Sequence, residues 1–508
     1  MKKSSIVKST IIVMFMALIT KFIGFGRDLL IAYKFGATDY TDAYKIAASI
    51  PDTIFVIVGL AISTAFLPLL SKIKVKKDTD EMHKFANNVI NILLIISLAI
   101  FLISSFMPEK IVAILTDGAK TSPETIRIAT NLTRITLFNL LFLVINACFI
   151  ALLQVHEDFI IPSILGLFFN LPIILYLLIF KDFNVYGLTV ANVIGNSFKV
   201  LAQIPSLRKN GYRYRFFINI KDEEVHKMVI IILPVIVGAG ANSINMIVDK
   251  KIASGLGSGV VTVLDNAQLL ITFINTAVTT SISNVIYPLL ANRINEGKHE
   301  EFIQILSKTI IYLAIFLIPI SIGTAIYSEK VVRIAYFKYS EEAKVLGGTA
   351  LLGYSLGILF TGIRDVLNST LFSMGKTKIA ALNGVIGVIV NIILSVILSK
   401  KIGIMGVSLA SSIAMIVTSI LLLKSVTKLQ GKLEIKSMSL KALKILISSA
   451  IMALVVIFIY YKCINLNNIL QLIIGGSVGA VIYFLCIYLL RLSEASEVID
   501  TLSKKIKV

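Results

Sequence analysis

The sequence contains no tryptophan, three cysteines and four histidines in 508 residues, and only 15% of it is charged. Soluble domains carry about a quarter charged residues, so this composition excludes a soluble enzyme. Cys148, Cys463 and Cys486 all lie in apolar stretches. They make no CxxC pair and no zinc spacing, which leaves no disulfide framework and no zinc site to read. His83, His156, His226 and His299 fall in the connections between apolar runs, and none belongs to an HExxH motif. Gly375-Lys376-Thr377 matches only the end of a phosphate loop. The glycine required earlier is Thr370 and no strand precedes it, so nucleotide hydrolysis is not expected. No polar stretch exceeds about thirty residues, too few for a catalytic domain. Without tryptophan, anchoring at a membrane interface falls to tyrosine.

What is present is apolar and basic. Hydrophobic residues make up 56% of the chain, and 49 Lys+Arg against 29 Asp+Glu give a formal charge of +20. In so apolar a chain, excess base marks cytoplasmic loops of a membrane protein rather than a nucleic-acid surface. A spanning helix needs ~20 mostly apolar residues. Fourteen such spans are expected, near 11–35, 43–71, 89–107, 128–153, 159–180, 186–206, 228–254, 260–291, 302–327, 345–373, 379–399, 404–424, 441–461 and 467–490. All should be α-helices, because backbone groups in lipid must be satisfied within the segment. The fold class is therefore an all-α polytopic membrane protein. The apolar run at the N-terminus continues through Lys21, Arg27 and Asp28 with no small-x-small cleavage site, so it reads as an uncleaved first span.

Loop charge sets the orientation. Base gathers at the N-terminus (Lys2, Lys3, Lys8), in the second loop (Lys72, Lys74, Lys76, Lys77, Lys84) and in the sixth (Arg208, Lys209, Arg213, Arg215, Lys221, Lys227). It gathers again in the eighth, tenth and twelfth loops and in the tail (Lys504, Lys505, Lys507). Odd loops are acidic or mixed, with Asp39 and Asp42 in the first; the eleventh, with Lys400 and Lys401, goes against the trend. Alternation over fourteen spans places both termini in the cytoplasm.

An internal repeat is visible. Ile62-Ser63 and Pro68-Leu69-Leu70 recur as Ile282-Ser283 and Pro288-Leu289-Leu290, a constant offset of 220 residues. The copies fall in the second and eighth spans. Two six-helix halves follow, 1–222 and 223–432, with 433–508 as a two-helix appendage. Parallel repeats of this kind are a transporter architecture with substrate handled between the halves.

Charged side chains at mid-bilayer are unfavourable by ~2.5–3.5 kcal/mol and usually face a watery cavity or a partner. The first span holds Lys21, Arg27, Asp28 and Lys34, with Gly24 and Gly26 beside them. Residues seven apart lie within ~20° on a helix, so Lys21 shares a face with Asp28, and Arg27 with Lys34. Asp42, Lys45 and Asp52 follow. The seventh span carries Asn242, Asn245, Asp249, Lys250 and Lys251; the tenth carries Arg364, Asp365 and Asn368; the eleventh carries Asn383 and Asn391. One reading is a hydrated cationic cavity that attracts an anion, with arginine gripping phosphate through paired hydrogen bonds. The plainer reading is internal neutralisation of Arg27 by a carboxylate, with Lys21 and Lys34 snorkelling to the headgroups. Asp249 with Asn391 offers the ligand types of a monovalent cation site, against which stands pairing of Asp249 with Lys250 or Lys251.

The stretch Thr20-Lys21-Phe22-Ile23-Gly24-Phe25-Gly26-Arg27-Asp28 resembles the Ser-Arg-x-x-Gly-x-x-Arg-Asp signature of the lipid II flippases, the MurJ/MviN family. Phe35-Gly36, Thr41-Asp42-Ala43-Tyr44 and Ile50-Pro51 follow as in that family. Val248-Asp249-Lys250, Leu264-Asp265-Asn266-Ala267 and Arg364-Asp365-Val366-Leu367-Asn368 resemble its later spans. These later motifs are shared more loosely with the multidrug/oligosaccharidyl-lipid/polysaccharide exporter superfamily. The resemblance implies a transporter, not an enzyme. It would carry undecaprenyl-diphosphate-linked peptidoglycan precursor from the inner to the outer leaflet of a bacterial plasma membrane by alternating access of two lobes. The last two spans would form a groove for the lipid tail. Carried over by position, Thr20, Lys21, Arg27, Asp28 and Asp42 become substrate-binding candidates, joined by Arg364. Lys21 and Arg27 would hold the diphosphate, Asp28 would orient Arg27, and Asp42 would lie near the outer gate. Phe55 and Leu269 stand where the family commonly has basic residues. That departure leaves open a flippase for another undecaprenyl-linked oligosaccharide. A multidrug/cation antiporter would instead call for an acidic cavity. No cofactor is expected; coupling would come from Na+ or H+ or the membrane potential. Cell-wall synthesis proteins are the expected protein partners.

Overall fold

The computed structural model describes residues 3–431, 433, 435–492 and 494. Among them there is no strand, and the chain is a succession of helices. Lys2, Lys432 and the tail lysines Lys504, Lys505 and Lys507 lie outside the described residues, as do the side chains of Lys3, Lys8, Asn242, Ser283, Pro288 and Lys436. The chain divides into two compact units, 1–262 and 263–508.

The first unit holds α1 (Lys3–Phe35), α2 (Asp39–Ala61), a π-helical turn (Ile62–Phe66), α3 (Leu67–Lys76), α4 (Thr79–Phe106), α5 (Pro108–Leu115), α6 (Pro123–Thr136), α7 (Asn139–Val155), α8 (Ile160–Ile179), α9 (Val185–Lys209) and α10 (Glu223–Ser254). The first turn of α11 (Val260–Asn295) also belongs to it. Polar caps fix where helices begin. Thr38 and Thr41 form a reciprocal capping box at α2, and Asp78 accepts from the Glu81 N–H at α4 (2.7 Å). Prolines at the first turns of α3, α5 and α6 cannot donate where no donor is needed.

The second unit continues α11 and adds α12 (His299–Ile326), α13 (Ser328–Ala335), α14 (Glu341–Ser355), α15 (Ile358–Ser373), α16 (Thr377–Ile402), α17 (Ile404–Gln430), α18 (Ile435–Lys462) and α19 (Asn468–Leu489). α16 and α17 are joined through Gly403 at φ +57°, a left-handed position that glycine adopts without strain. α18 and α19 pack on each other, and α18 packs on α12.

All fourteen expected spans fall on helix. Among the described residues, eight helices are long and apolar enough to cross a membrane on length and composition alone. Two helix pairs pass the same test only when taken together, α6 with α7 bent by 43° and α14 with α15 bent by 48°. The expected single helices at 128–153 and 345–373 are therefore each broken. Gly357 lies at the second break. At the first, the Thr136 hydroxyl donates to the Ala47 carbonyl (2.9 Å) and to the Thr133 carbonyl (3.2 Å), a back-bond that bends helices. α1 and α9 are helical throughout their expected spans but carry polar residues within them: Lys21, Arg27, Asp28 and Lys34 in one, Asn192, Asn196 and Lys199 in the other.

The 220-residue offset recurs in the backbone. The short amphipathic helices α5 and α13 begin at 108 and 328, each follows a long span, and each precedes a bent pair. The motif copies themselves differ: 62–70 passes through a π-helical turn into α3, whereas 282–290 lies within the continuous α11. The repeat boundary at 222 and the packing boundary at 262 also differ. α10 packs on α2, α5 and the π-helical turn, which places it in the first compact unit.

The basic connection from α9 to α10 is an extended strap rather than a free loop. Asn87, Asn88 and Asn91 of α4 bind its backbone at Arg213, Arg215, Phe217 and Asn219 over 2.6–3.2 Å. Tyr212 and Tyr214 donate back to Asn87 and Asn91. Side-chain amides thus stand in for a neighbouring strand.

Candidate functional site

α1 lies against α8 along a row of small and polar residues. The Thr20 hydroxyl donates to the Ser163 carbonyl (3.2 Å), and a Cβ at Gly166 would fall 2.1 Å from the Thr20 methyl. One turn on, Gly24 faces the Asn170 amide. Next in this row comes Arg27. Its Nη1 donates to Asn170 Oδ1 (2.9 Å), and its Nη2 donates to both oxygens of Asp28 (3.0 and 2.9 Å). The guanidinium carbon stands 5.2 Å from the Phe169 ring centroid, and Lys199 Nζ of α9 stands 5.0 Å from the same ring. Two cations on one aromatic ring are favourable only where each keeps a hydrogen-bond or ionic partner. Lys45 of α2 reaches Asp28 at 4.0 Å, and Asp52, one to two turns further, lies in the field of Lys199, Lys250 and Arg27.

The cluster holds Arg27, Lys45 and Lys199 against Asp28 and Asp52, an excess of base. It is not sealed: the side chains of Arg27 and Lys45 are each 18% exposed, and Asp52 is exposed. Arg27 Nε is buried with no hydrogen-bond partner among the described residues. A row of amides on α9 supports it. Asn192 donates to the Tyr44 hydroxyl (3.2 Å) and accepts from Asn139 (2.9 Å), and Gln203 donates to Asn146 (3.0 Å). Gly195 permits this packing, since a Cβ there would lie 2.4 Å from the Phe169 carbonyl oxygen.

Each of the other sequence candidates has its own surroundings. Lys21 is exposed and makes no ion pair with the described residues; six positions from Arg27, it is about 120° away around the helix. Asp42 is buried and accepts from the Thr262 N–H (2.8 Å) and hydroxyl (2.7 Å) at the start of α11. Asp249 accepts from Asn245 (3.2 Å) in the first unit. Asn391 donates to Ser411 (3.0 Å) and accepts from Ser395 (3.2 Å) in the second. Among the described residues no group of three or more His, Cys, Asp or Glu could hold a metal ion. Arg364 is tied to Asp365 (2.7 and 3.1 Å) and borders a cavity of the second unit. Phe55 packs beside Gly59. Sequence reasoning did not single out Asn170, Phe169 or Lys199. A lysine and an asparagine in the middle of apolar helices were the available signal.

In the second unit, α12, α18 and α19 bound an apolar groove of ≈ 360 Å³, lined by Phe316, Ile320, Met452, Val456, Leu472 and Phe484 among others.

A polytopic helical chain that keeps a charged, aromatic-backed cluster within its spans has the architecture of a membrane transporter. The sequence profile described as "Lipid II flippase MurJ" matches residues 31–471, and the chain belongs to that family. It is 27% identical over 382 residues to the probable lipid II flippase MurJ of Buchnera aphidicola subsp. Baizongia pistaciae, covering 74% of each chain. It is 27% identical over 486 residues to the lipid II flippase MurJ of Thermosipho africanus, covering 95% of this chain and 96% of that one. A solved lipid II flippase MurJ in an inward closed conformation superposes with a TM-score of 0.81 at 26% identity, covering 94% of this chain and 98% of that one.

Proposed function

We infer that this chain carries lipid II from the inner to the outer leaflet of a bacterial plasma membrane by alternating access, with both termini in the cytoplasm. The observation that carries the reading is the partly exposed Arg27 guanidinium, held by Asp28 and Asn170 over Phe169. Such a group meets a diphosphate with little reorganisation, and the surrounding excess of base raises the local concentration of an anion. Lys45 and Lys199 supply charge where the family cations at Phe55 and Leu269 are missing. Lys21, exposed on a separate face, would meet the headgroup on entry, and Thr20 would hold α1 to α8. The apolar groove at α18 and α19 would take the prenyl tail. Coupling would come from Na+, H+ or the membrane potential, with Asp249 and Asn391 as candidate ion ligands. Cell-wall synthesis proteins remain the proposed protein partners.

The test is complementation of a flippase-depleted strain by Arg27→Ala. Loss of growth at normal protein level supports the reading, and full growth removes Arg27 from the mechanism. The apolar residues Phe55 and Leu269 also favour a second reading, a flippase for another undecaprenyl-linked oligosaccharide. Rescue of that pathway rather than of peptidoglycan synthesis would select it.

A further inference from the structure

The second compact unit contains a cavity of ≈ 360 Å³ that the charged cluster does not account for. One wall is α11, which presents Gln268, Thr272, Asn275, Thr276 and Thr279 to it. Apart from the adjacent pair 275 and 276, those positions recur at intervals of three and four, so this stretch of α11 carries one continuous polar stripe. The facing walls are Thr361, Arg364 and Asp365 of α15, and Ser411, Ser412 and Met415 of α17. The break between α14 and α15 opens here as well, with Tyr354 and Gly357 on the lining.

The hydrogen bonding is uneven. Ser412 is occupied by the Gly353 and Tyr354 carbonyls (2.7 and 3.2 Å), Thr361 by the Gly357 carbonyl (2.9 Å) and Thr272 by the Gln268 carbonyl (2.9 Å). Asn275 is different. It is 5% exposed, and neither its amide nitrogen nor its amide oxygen has a partner among the described residues. The Thr279 hydroxyl, also 5% exposed and one turn away, is in the same state. A buried amide with both ends unpaired is unfavourable in a helix core unless something on the cavity side pairs with it.

The charge of the lining selects the occupant. Its one carboxylate, Asp365, is held by Arg364 through Nε (3.1 Å) and Nη2 (2.7 Å), so the two charges offset each other. Unlike the cluster around Arg27, with its surplus of base, this lining carries one cation and one carboxylate and so has no excess of either sign to draw an inorganic cation or an anion. What remains is a donor and an acceptor side by side on Asn275, with hydroxyls around them. That pattern matches a neutral group bearing an amide and hydroxyls. The volume is that of a small-ligand pocket, well beyond one water molecule.

We propose that this cavity binds the uncharged, amide- and hydroxyl-bearing part of the translocated headgroup, with Asn275 as the recognising side chain and Thr279 beside it. The proposal rests on the reading of the chain as a lipid-linked saccharide flippase. The ligand chemistry is shared by an acetamido sugar and by a peptide bond, and the test separates them.

The experiment measures binding of three probes to the full chain in nanodiscs: lipid II, its peptide-free disaccharide form, and undecaprenyl diphosphate alone. Asn275→Leu keeps shape and removes both polar atoms. It should weaken lipid II about tenfold, a change of about 1.4 kcal/mol, and leave undecaprenyl diphosphate unchanged. The same loss on the peptide-free probe assigns the contact to the sugars, and loss confined to full lipid II assigns it to the peptide; both support the proposal. Thr279→Val, nearly isosteric, should give a smaller loss in the same direction and serves if Asn275→Leu does not fold. Unchanged lipid II affinity in the folded variants, or equal weakening of undecaprenyl diphosphate, overturns the proposal. Failure of the unsubstituted chain to bind any of the three overturns the flippase reading itself.

Discussion

Asp42 and Thr262 meet through two hydrogen bonds to one carboxylate oxygen, 2.8 Å from the Thr262 N–H and 2.7 Å from its hydroxyl. They also occupy equivalent places in the 220-residue repeat, each in the first turn of its helix. The carboxylate acts as an N-cap for α11 supplied by another helix. Asp42→Ala should lower stability by about 1–3 kcal/mol, from two hydrogen bonds at about 0.5–1.5 kcal/mol each. Asp42→Asn keeps an acceptor oxygen and should melt close to the unsubstituted protein. Thermal unfolding in detergent checks both. Loss of growth in Asp42→Asn at a normal melting temperature would assign the charge itself to transport.

The grip on Arg27 has two parts that substitution separates. Asn170→Leu removes the Nη1 acceptor and leaves the Asp28 pair. Asp28→Asn removes the ion pair and leaves Asn170. Asp28→Asn should be the more damaging in complementation, because Lys45 loses the same partner. Arg27→Lys keeps the charge without the planar fork and should fall between the parent and Arg27→Ala in growth rate. Equal growth of Arg27→Lys and the parent would mean that charge alone suffices.

His83 and His156 face each other Nε2 to Nε2 at 3.2 Å, a geometry in which one ring donates and the other accepts. His156, at the end of α7, is pushed down to about 4 by burial, with Lys74 and His83 adding to the effect. Its folded value lies below the unfolded value of about 6.5, so the unfolded chain binds the proton first. The resulting stability is complete above about pH 6.5 and is lost as pH falls toward 4. Melting temperature measured from pH 8 to 4 should decline across that window, and His156→Gln should flatten the decline.

The strap between α9 and α10 depends on amide side chains of α4. Asn88 exchanges two hydrogen bonds with the Asn219 backbone, donating at 2.9 Å and accepting at 2.6 Å. Removing them in Asn88→Ala forfeits about 0.5–1.5 kcal/mol per bond, enough to raise strap opening several-fold. Limited trypsin digestion should then cut faster at Arg213 and Arg215, both exposed. An unchanged rate would mean that the Asn87, Asn91 and tyrosine contacts suffice to hold the strap.

Hydropathy patterns were enough to place the helices along this chain, because lipid demands long apolar segments whatever they pack against. The same patterns located Arg27 and Asp28, since charge inside a span is rare enough to stand out. They could not distinguish Lys21 from Arg27, although the structure exposes one and gives the other two partners. Nor could they show that Asp42 caps a helix that begins 218 residues later, that Asn170 and Lys199 converge on Arg27 and its aromatic neighbour, or that two expected spans bend. Helix formation is decided by local periodicity and solvent. Which side chains share a partner depends on the rotation and spacing of helices packed together, and those are properties of the folded chain alone.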